Sequence, residues 1–164
     1  MKVPHRILLV CLGNICRSPL AEGLLRHHLA AARLGHRVEV DSAGTGGWHA
    51  GEPPDRRTIA NARTHGIDLS ALRARQLRPA DYHEFHWLLC ADRANLVEVR
   101  ARAPVDAPAR SALLLEWAGL GQGAEVPDPY TGGPEAFEHV WGLVDRATRA
   151  IVQGFADRTR AIDA

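Results

Sequence analysis

The sequence predicts an α/β fold: a single domain spanning residues 1–164, with a central four-stranded parallel sheet and helices on both faces. Three observations carry this. Short apolar runs alternate with longer segments of helical periodicity, the pattern of strands joined by crossover helices. The first run, Arg6 to Cys11, is unbroken in its apolar character, as a strand buried on both faces requires. The chain of 164 residues suits one hydrophobic core.

Each element has a local reason. Arg6 to Cys11 forms the first strand, bounded by Pro4 and Gly13. Ser18-Pro19 supplies an N-cap and a first helical residue. Leu20, Leu24, Leu25, Leu29 and Ala32 then recur at helical spacing, which predicts a helix from about Pro19 to Arg33, ended before Gly35. Val38 to Ser42 is a second strand. Ala43 to Pro54 is a loop punctuated by Gly and Pro. Asp55 to His65 reads as a second helix stopped by Gly66. Residues 66 to 78 are mixed, with room for a short extended piece before Pro79, and Pro79 to Phe85 suits a short helix. Trp87 to Cys90 is a third strand. Asp92 caps a helix running to about Arg100. Ala112 to Leu115 is the expected fourth strand. Glu125 to Gly133 is a loop. A long final helix runs from about Pro134 to Thr159, with the stripe Phe137, Val140, Trp141, Val144, Ala147, Ile151 and Phe155.

Composition narrows the function. Hydrophobic residues make up 46% and charged residues 24%, and the net charge is +1. That balance gives no broad basic field for nucleic acid. No apolar stretch is long enough to span a bilayer, and the N-terminus lacks the pattern of a signal peptide. Three cysteines form no disulfide framework. A cytoplasmic location is the expectation. His83 with His86, and His27 with His28, lack the acidic or Cys companions of a zinc site, so no metal is expected. Cys90 reads as inert core.

The chemistry concentrates in Cys11-Leu12-Gly13-Asn14-Ile15-Cys16-Arg17-Ser18. A buried strand delivers Cys11 to its carboxyl end. Gly13 and Asn14 tolerate unusual backbone angles. The chain can therefore curl until successive N–H groups point inward as a nest for an anion. The following helix aims its positive end at the same point. Arg17 adds a planar fork suited to two phosphate oxygens. This is a phosphate-binding loop with a sulfur at its base. Helix N-termini and cations lower thiol pKa values to roughly 3.5–7.5, which predicts a nucleophilic thiolate at Cys11. Ser18 is placed to donate a hydrogen bond to that sulfur.

Three motifs in order resemble the low-molecular-weight protein tyrosine phosphatases: Cys11 through Pro19, Asp41-Ser42-Ala43-Gly44-Thr45, and Asp128-Pro129-Tyr130. The segment Trp48-His49-Ala50-Gly51-Glu52-Pro53-Pro54-Asp55 is similar to the bacterial branch. The resemblance implies hydrolysis of phosphotyrosine through a phospho-cysteine on Cys11. Arg17 and the N–H groups of Leu12, Gly13, Asn14, Ile15, Cys16 and Arg17 would bind the phosphoryl oxygens. Asp128 would protonate the leaving phenolate and then activate water. Asn14 and Ser42 would hold the loop in shape, and Trp48 and Tyr130 would wall the cleft. Cys16 would be able to pair with Cys11 on oxidation. No cofactor is implied. The implied partner is a phosphotyrosine-containing protein, by analogy a bacterial tyrosine kinase, with inorganic phosphate as product. The chain would act as a monomer or weak dimer.

Two departures stand out. Thr131 occupies the place of a second tyrosine found in many relatives, and Ala91 follows Cys90 where a larger apolar residue is common. Arsenate reduction on the same fold needs a relay of thiols, and only Cys90 lies outside the loop. Phosphoarginine phosphatases carry a small hydroxyl residue where this chain has Ile15, which favours a flat aromatic ring. A binding module without turnover would be expected to lack Cys11, Arg17 or Asp128.

Overall fold

A computed structural model describes the backbone of residues 3–163, so the two N-terminal residues and the last residue of the expected domain lie outside the described residues. The strands are β1 (His5–Cys11), β2 (Val38–Gly44), β3 (Trp87–Cys90) and β4 (Arg110–Leu113). They form one sheet in the order β2-β1-β3-β4, and every pairing is parallel. The helices are α1 (Arg17–Ala31), α2 (Arg56–Thr64), α3 (Asp81–Glu84), α4 (Arg93–Arg102), α5 (Leu114–Trp117) and α6 (Pro134–Asp163).

Alternation along β1 explains the two layers. Ile7, Leu9 and Cys11 point into a core shared with Leu24, Leu25 and Leu29 of α1 and Val140, Val144 and Ile151 of α6. Leu8 and Val10 point the other way, against Tyr82 of α3, Leu88 and Cys90 of β3, and Val99 of α4. A strand buried on both faces has no polar side to alternate with, so its sequence reads as one apolar run. Each fully buried Leu in α1 contributes about 1.5–3 kcal/mol. An N-cap is worth only about 1 kcal/mol. Packing therefore fixes α1, and its first turn can be left uncapped.

That freedom is used. The helix begins at Arg17, with Cys16 at the N-cap position and no side-chain cap. The expectation that Ser18 caps a helix starting at Pro19 is corrected: the Ser18 hydroxyl is engaged with Cys11 and Asn14 instead. Asp92 does cap α4, as one half of a capping box with Asn95. The fourth strand starts two residues early, at Arg110, and Leu114 and Leu115 belong to the short helix α5. An apolar quartet of strand length carries no periodicity to separate the two. The extended piece before Pro79 is a single bridge between Gly44 and Gln76.

The sheet order places the site. After β1 the chain steps to β2 on one side, and later returns to β3 on the other. The carboxyl end of β1 is thus the switch point where a crevice opens. Cys11 sits there, opposite Gly44 of β2. A Cβ on Gly44 would lie 2.7 Å from the Leu12 carbonyl oxygen and 3.0 Å from the Asn14 nitrogen. Both obstacles are backbone of the loop after β1, so neither can swing aside. Gly44→Ala is therefore expected to push that loop outward, costing about 1–3 kcal/mol in stability and most of the activity. Thermal denaturation together with turnover would check this, and a fully active Ala variant would refute it.

Candidate active site

Residues 12 to 17 wrap around the end of β1. Asn14 has φ 56°, inside the left-handed region that Asn tolerates. Among the described residues, none of the N–H groups of residues 12 to 17 donates a hydrogen bond to the chain. Buried amides without partners are rare. Five of these six residues, Leu12, Gly13, Ile15, Cys16 and Arg17, line a cleft together with Cys11, Trp48, His49, Asp128 and Tyr130. The cleft is the place where such donors can be satisfied by an anion.

Arg17 is only 4% exposed, and its burial has partners. Nη1 donates to Asp92 Oδ2 at 2.6 Å and to the Val126 carbonyl at 3.0 Å. That spends both Nη1 hydrogens and leaves Nε and Nη2 for a ligand. Burial opposes the guanidinium charge, but Cys11, Asp92 and Asp128 outweigh it and push the Arg17 pKa up. Asp92 is thus both a helix cap and the anchor of Arg17. The sequence offered only its capping signal, because residues 17 and 92 meet through tertiary structure alone.

A chain of hydrogen bonds runs behind the loop. Ser18 Oγ lies 2.9 Å from Cys11 Sγ. Asn14 Nδ2 donates to Ser18 Oγ at 2.7 Å and to Ser42 Oγ at 2.9 Å. The Arg75 N–H donates to Asn14 Oδ1 at 2.9 Å. Arg75 is itself held by Asp41 and the fully buried Asp81. Ser42 donates to Glu22 Oε1 at 2.5 Å. Glu22 had no sequence signal beyond being an acid in a helix.

Asp128 stands at the mouth of the cleft, its side chain 46% exposed, with Oδ2 3.7 Å from Arg17 Nη2. Its other oxygen accepts the Tyr130 N–H at 3.1 Å. The Val126 N–H donates to the Ala91 carbonyl, which ties this loop to the end of β3. Trp48, Leu12 and Tyr130 are exposed apolar residues on the rim. Trp48 lies against Gly46 so closely that any Cβ there would overlap its ring. Arg57 sits 5.3 Å from the Tyr130 ring centroid. His49 completes the wall; its Nδ1 is 2.7 Å from Glu52 Oε2. Its only signal in the sequence is membership of the segment Trp48 to Asp55.

All three cysteines are free and buried. Burial pushes the Cys16 and Cys90 thiols up to about 12, so neither competes as a nucleophile at neutral pH. Cys90 packs on the sheet face opposite to Cys11. His28 pairs with Asp145 and His65 with Glu138. Among the described residues, no group of His, Cys, Asp and Glu is arranged to hold a metal, and no helix is long and apolar enough to cross a membrane.

An anion nest with a cysteine at its base and an arginine at its wall, on a parallel sheet, defines a cysteine-dependent phosphatase. The comparisons specify which. The family model for low molecular weight phosphotyrosine protein phosphatase matches residues 6–160, and the chain belongs to that family. It is 40% identical over 151 residues to the low molecular weight protein-tyrosine-phosphatase of Streptomyces coelicolor, covering 90% of this chain and 92% of that one. The crystal structure of YfkJ from Bacillus subtilis superposes with a TM-score of 0.87 at 33% identity, covering 96% and 98% of the two chains. A Drosophila arginine phosphatase shares the fold at a TM-score of 0.83 and 27% identity, covering 91% and 96%. The family places the chain among enzymes that hydrolyse phosphotyrosine.

Proposed function

We propose that Cys11 attacks the phosphorus of a protein phosphotyrosine and that the resulting phospho-cysteine is hydrolysed to inorganic phosphate. The observation that carries this is that the amides of residues 12 to 17 have no hydrogen-bond partner in the chain, while Leu12, Gly13, Ile15, Cys16 and Arg17 share a cleft with Cys11. They face the charge that builds on the equatorial oxygens during transfer, which is the main demand of phosphoryl chemistry. Arg17 uses Nε and Nη2 to orient two of those oxygens. Asp128 lies on the side where the leaving oxygen departs. It gives a proton to the phenolate in the first step and takes one from water in the second. Ser18 supports the sulfur as it leaves. Trp48 and Tyr130 flank the ring, and Ile15 contacts it from below.

The substrate reading follows from the walls. Leu12, Ile15, Trp48 and Tyr130 line the cleft with apolar surface, which suits an aromatic ring better than a guanidinium. Arsenate reduction is disfavoured because Cys90, the one thiol outside the loop, is buried on the sheet face opposite to Cys11 and is not paired with another cysteine. The same reading, by resemblance to the family, takes the enzyme to be cytoplasmic and a monomer or weak dimer; the three free thiols are compatible with a reducing compartment. A bacterial tyrosine kinase is the partner by analogy.

The test is a panel of phosphotyrosine peptide, phosphoserine peptide, phosphoarginine and arsenate. Phosphate release from the phosphotyrosine peptide is expected to exceed the others by at least about 10²-fold in kcat/KM. Faster turnover of phosphoarginine would overturn the substrate assignment while leaving the cysteine chemistry intact.

A further inference from the structure

The hydrogen bonds behind the loop have a direction, and one buried carboxylate sets it. An ionised carboxylate carries no hydrogen, so Ser42 must be the donor in its contact with Glu22 Oε1. The 2.5 Å separation suits a charge-assisted O–H···O bond. With its one hydrogen spent, Ser42 Oγ only accepts, and Asn14 must offer its amino group. The Arg75 N–H, bound to Asn14 Oδ1, demands the same orientation of the amide. The two Asn14 hydrogens then go to Ser42 and Ser18. Ser18 accepts from Asn14, and its own hydrogen is left for Cys11 Sγ. Asn14, Ser18, Glu22 and Ser42 are each at most 4% exposed, so water cannot make up a wrong orientation.

We propose that Glu22 is a positioning residue for the reaction, its carboxylate polarising Ser42, Asn14 and Ser18 in sequence so that Ser18 presents a hydrogen to Cys11 Sγ. This rests on the reading of Cys11 as the nucleophile. The consequence falls on both chemical steps. The sulfur carries negative charge as it attacks, and again as it leaves phosphorus. A hydrogen aimed at it stabilises both states, and buried chains of such bonds strengthen one another.

The groups facing Glu22 allow this role. Arg26 of α1 holds the second oxygen, Oε2, at 2.5 Å. Asp41 and Ser42 of β2 lie against it, with Arg75 from the segment beyond. Burial, with the Asp41 charge adding to it, raises the Glu22 pKa, while Ser42, Arg26 and Arg75 oppose that rise.

Glu22→Gln separates direction from charge. Arg26 would claim the amide carbonyl, turning the amino group toward Ser42 and leaving a donor where an acceptor stood. Removing a negative charge near a thiol should, by electrostatics alone, favour the thiolate and speed its alkylation. Loss of the relay predicts the opposite sign. The experiment measures the rate of Cys11 alkylation by iodoacetamide at pH 6, followed by mass spectrometry so that Cys16 and Cys90 are distinguished. Glu22→Gln is expected to slow alkylation about three- to ten-fold, and Glu22→Gln combined with Ser42→Ala should be no slower than Ser42→Ala alone. An unchanged or faster rate in Glu22→Gln overturns the proposal. Should that variant not fold, Ser42→Ala carries the test, since it keeps the Glu22 charge and removes the link; unchanged alkylation there refutes the relay. A wild-type Cys11 inert to iodoacetamide would instead defeat the assignment of the nucleophile itself.

Discussion

Cys11→Ser is expected to lower turnover of a phosphotyrosine peptide by at least about 10⁴-fold, the scale seen when the nucleophile of a covalent mechanism is removed. A serine hydroxyl is far less ionised than a thiol and cannot form the thiophosphate bond. The amides of residues 12 to 17 and the free edge of Arg17 remain in place. Binding should therefore survive, and the variant should hold a phosphotyrosine peptide without releasing phosphate. Two measurements decide: phosphate release, and peptide affinity by calorimetry. A serine variant with near wild-type turnover would eliminate the phospho-cysteine. A variant that neither turns over nor binds would show that the cradle depends on the sulfur.

Asp128→Asn is expected to lose roughly 10²–10⁴-fold on the same peptide, the usual worth of a general acid. The loss should depend on the leaving group. A phenolate as basic as that of tyrosine needs a proton, whereas p-nitrophenolate leaves with little help. The variant should therefore retain more activity on p-nitrophenyl phosphate than on phosphotyrosine. The geometry supports the asymmetry, because Asp128 lines the same cleft as Cys11, lies 3.7 Å from Arg17 and has its side chain 46% exposed. Equal losses on the two substrates would remove Asp128 from the role of acid and leave it a structural turn residue.

These two residues also mark how far sequence reaches. Cys11, Gly13, Asn14, Arg17 and Ser18 are legible because they are neighbours in the chain, and the buried strand before them and the helix after them fix their geometry locally. Asp128 is different. Asp before Pro is a common turn pair, and its part in the site came from resemblance; the structure brings it within reach of Arg17 through a loop tied to β3. His49 is visible in the sequence only as a member of the segment Trp48 to Asp55, with no role attached, and Glu22 carries no signal. Their side chains gain meaning only from what the fold sets beside them, Glu52 and the cleft for one, Ser42 for the other.

By itself the sequence determined the parallel α/β fold, the curled loop and the sulfur at its base, since each depends on contacts spanning a few residues or on a periodicity readable along the chain. Only tertiary structure decided that Asp92 and the Val126 carbonyl take one side of Arg17, that Gly44 must lack a side chain, and that a carboxylate on α1 reaches Cys11 through three intervening side chains. The physical reason is range. Backbone propensity and hydrophobic period act between near neighbours, whereas the direction of a buried hydrogen bond is settled by whichever partners folding brings within about 3 Å.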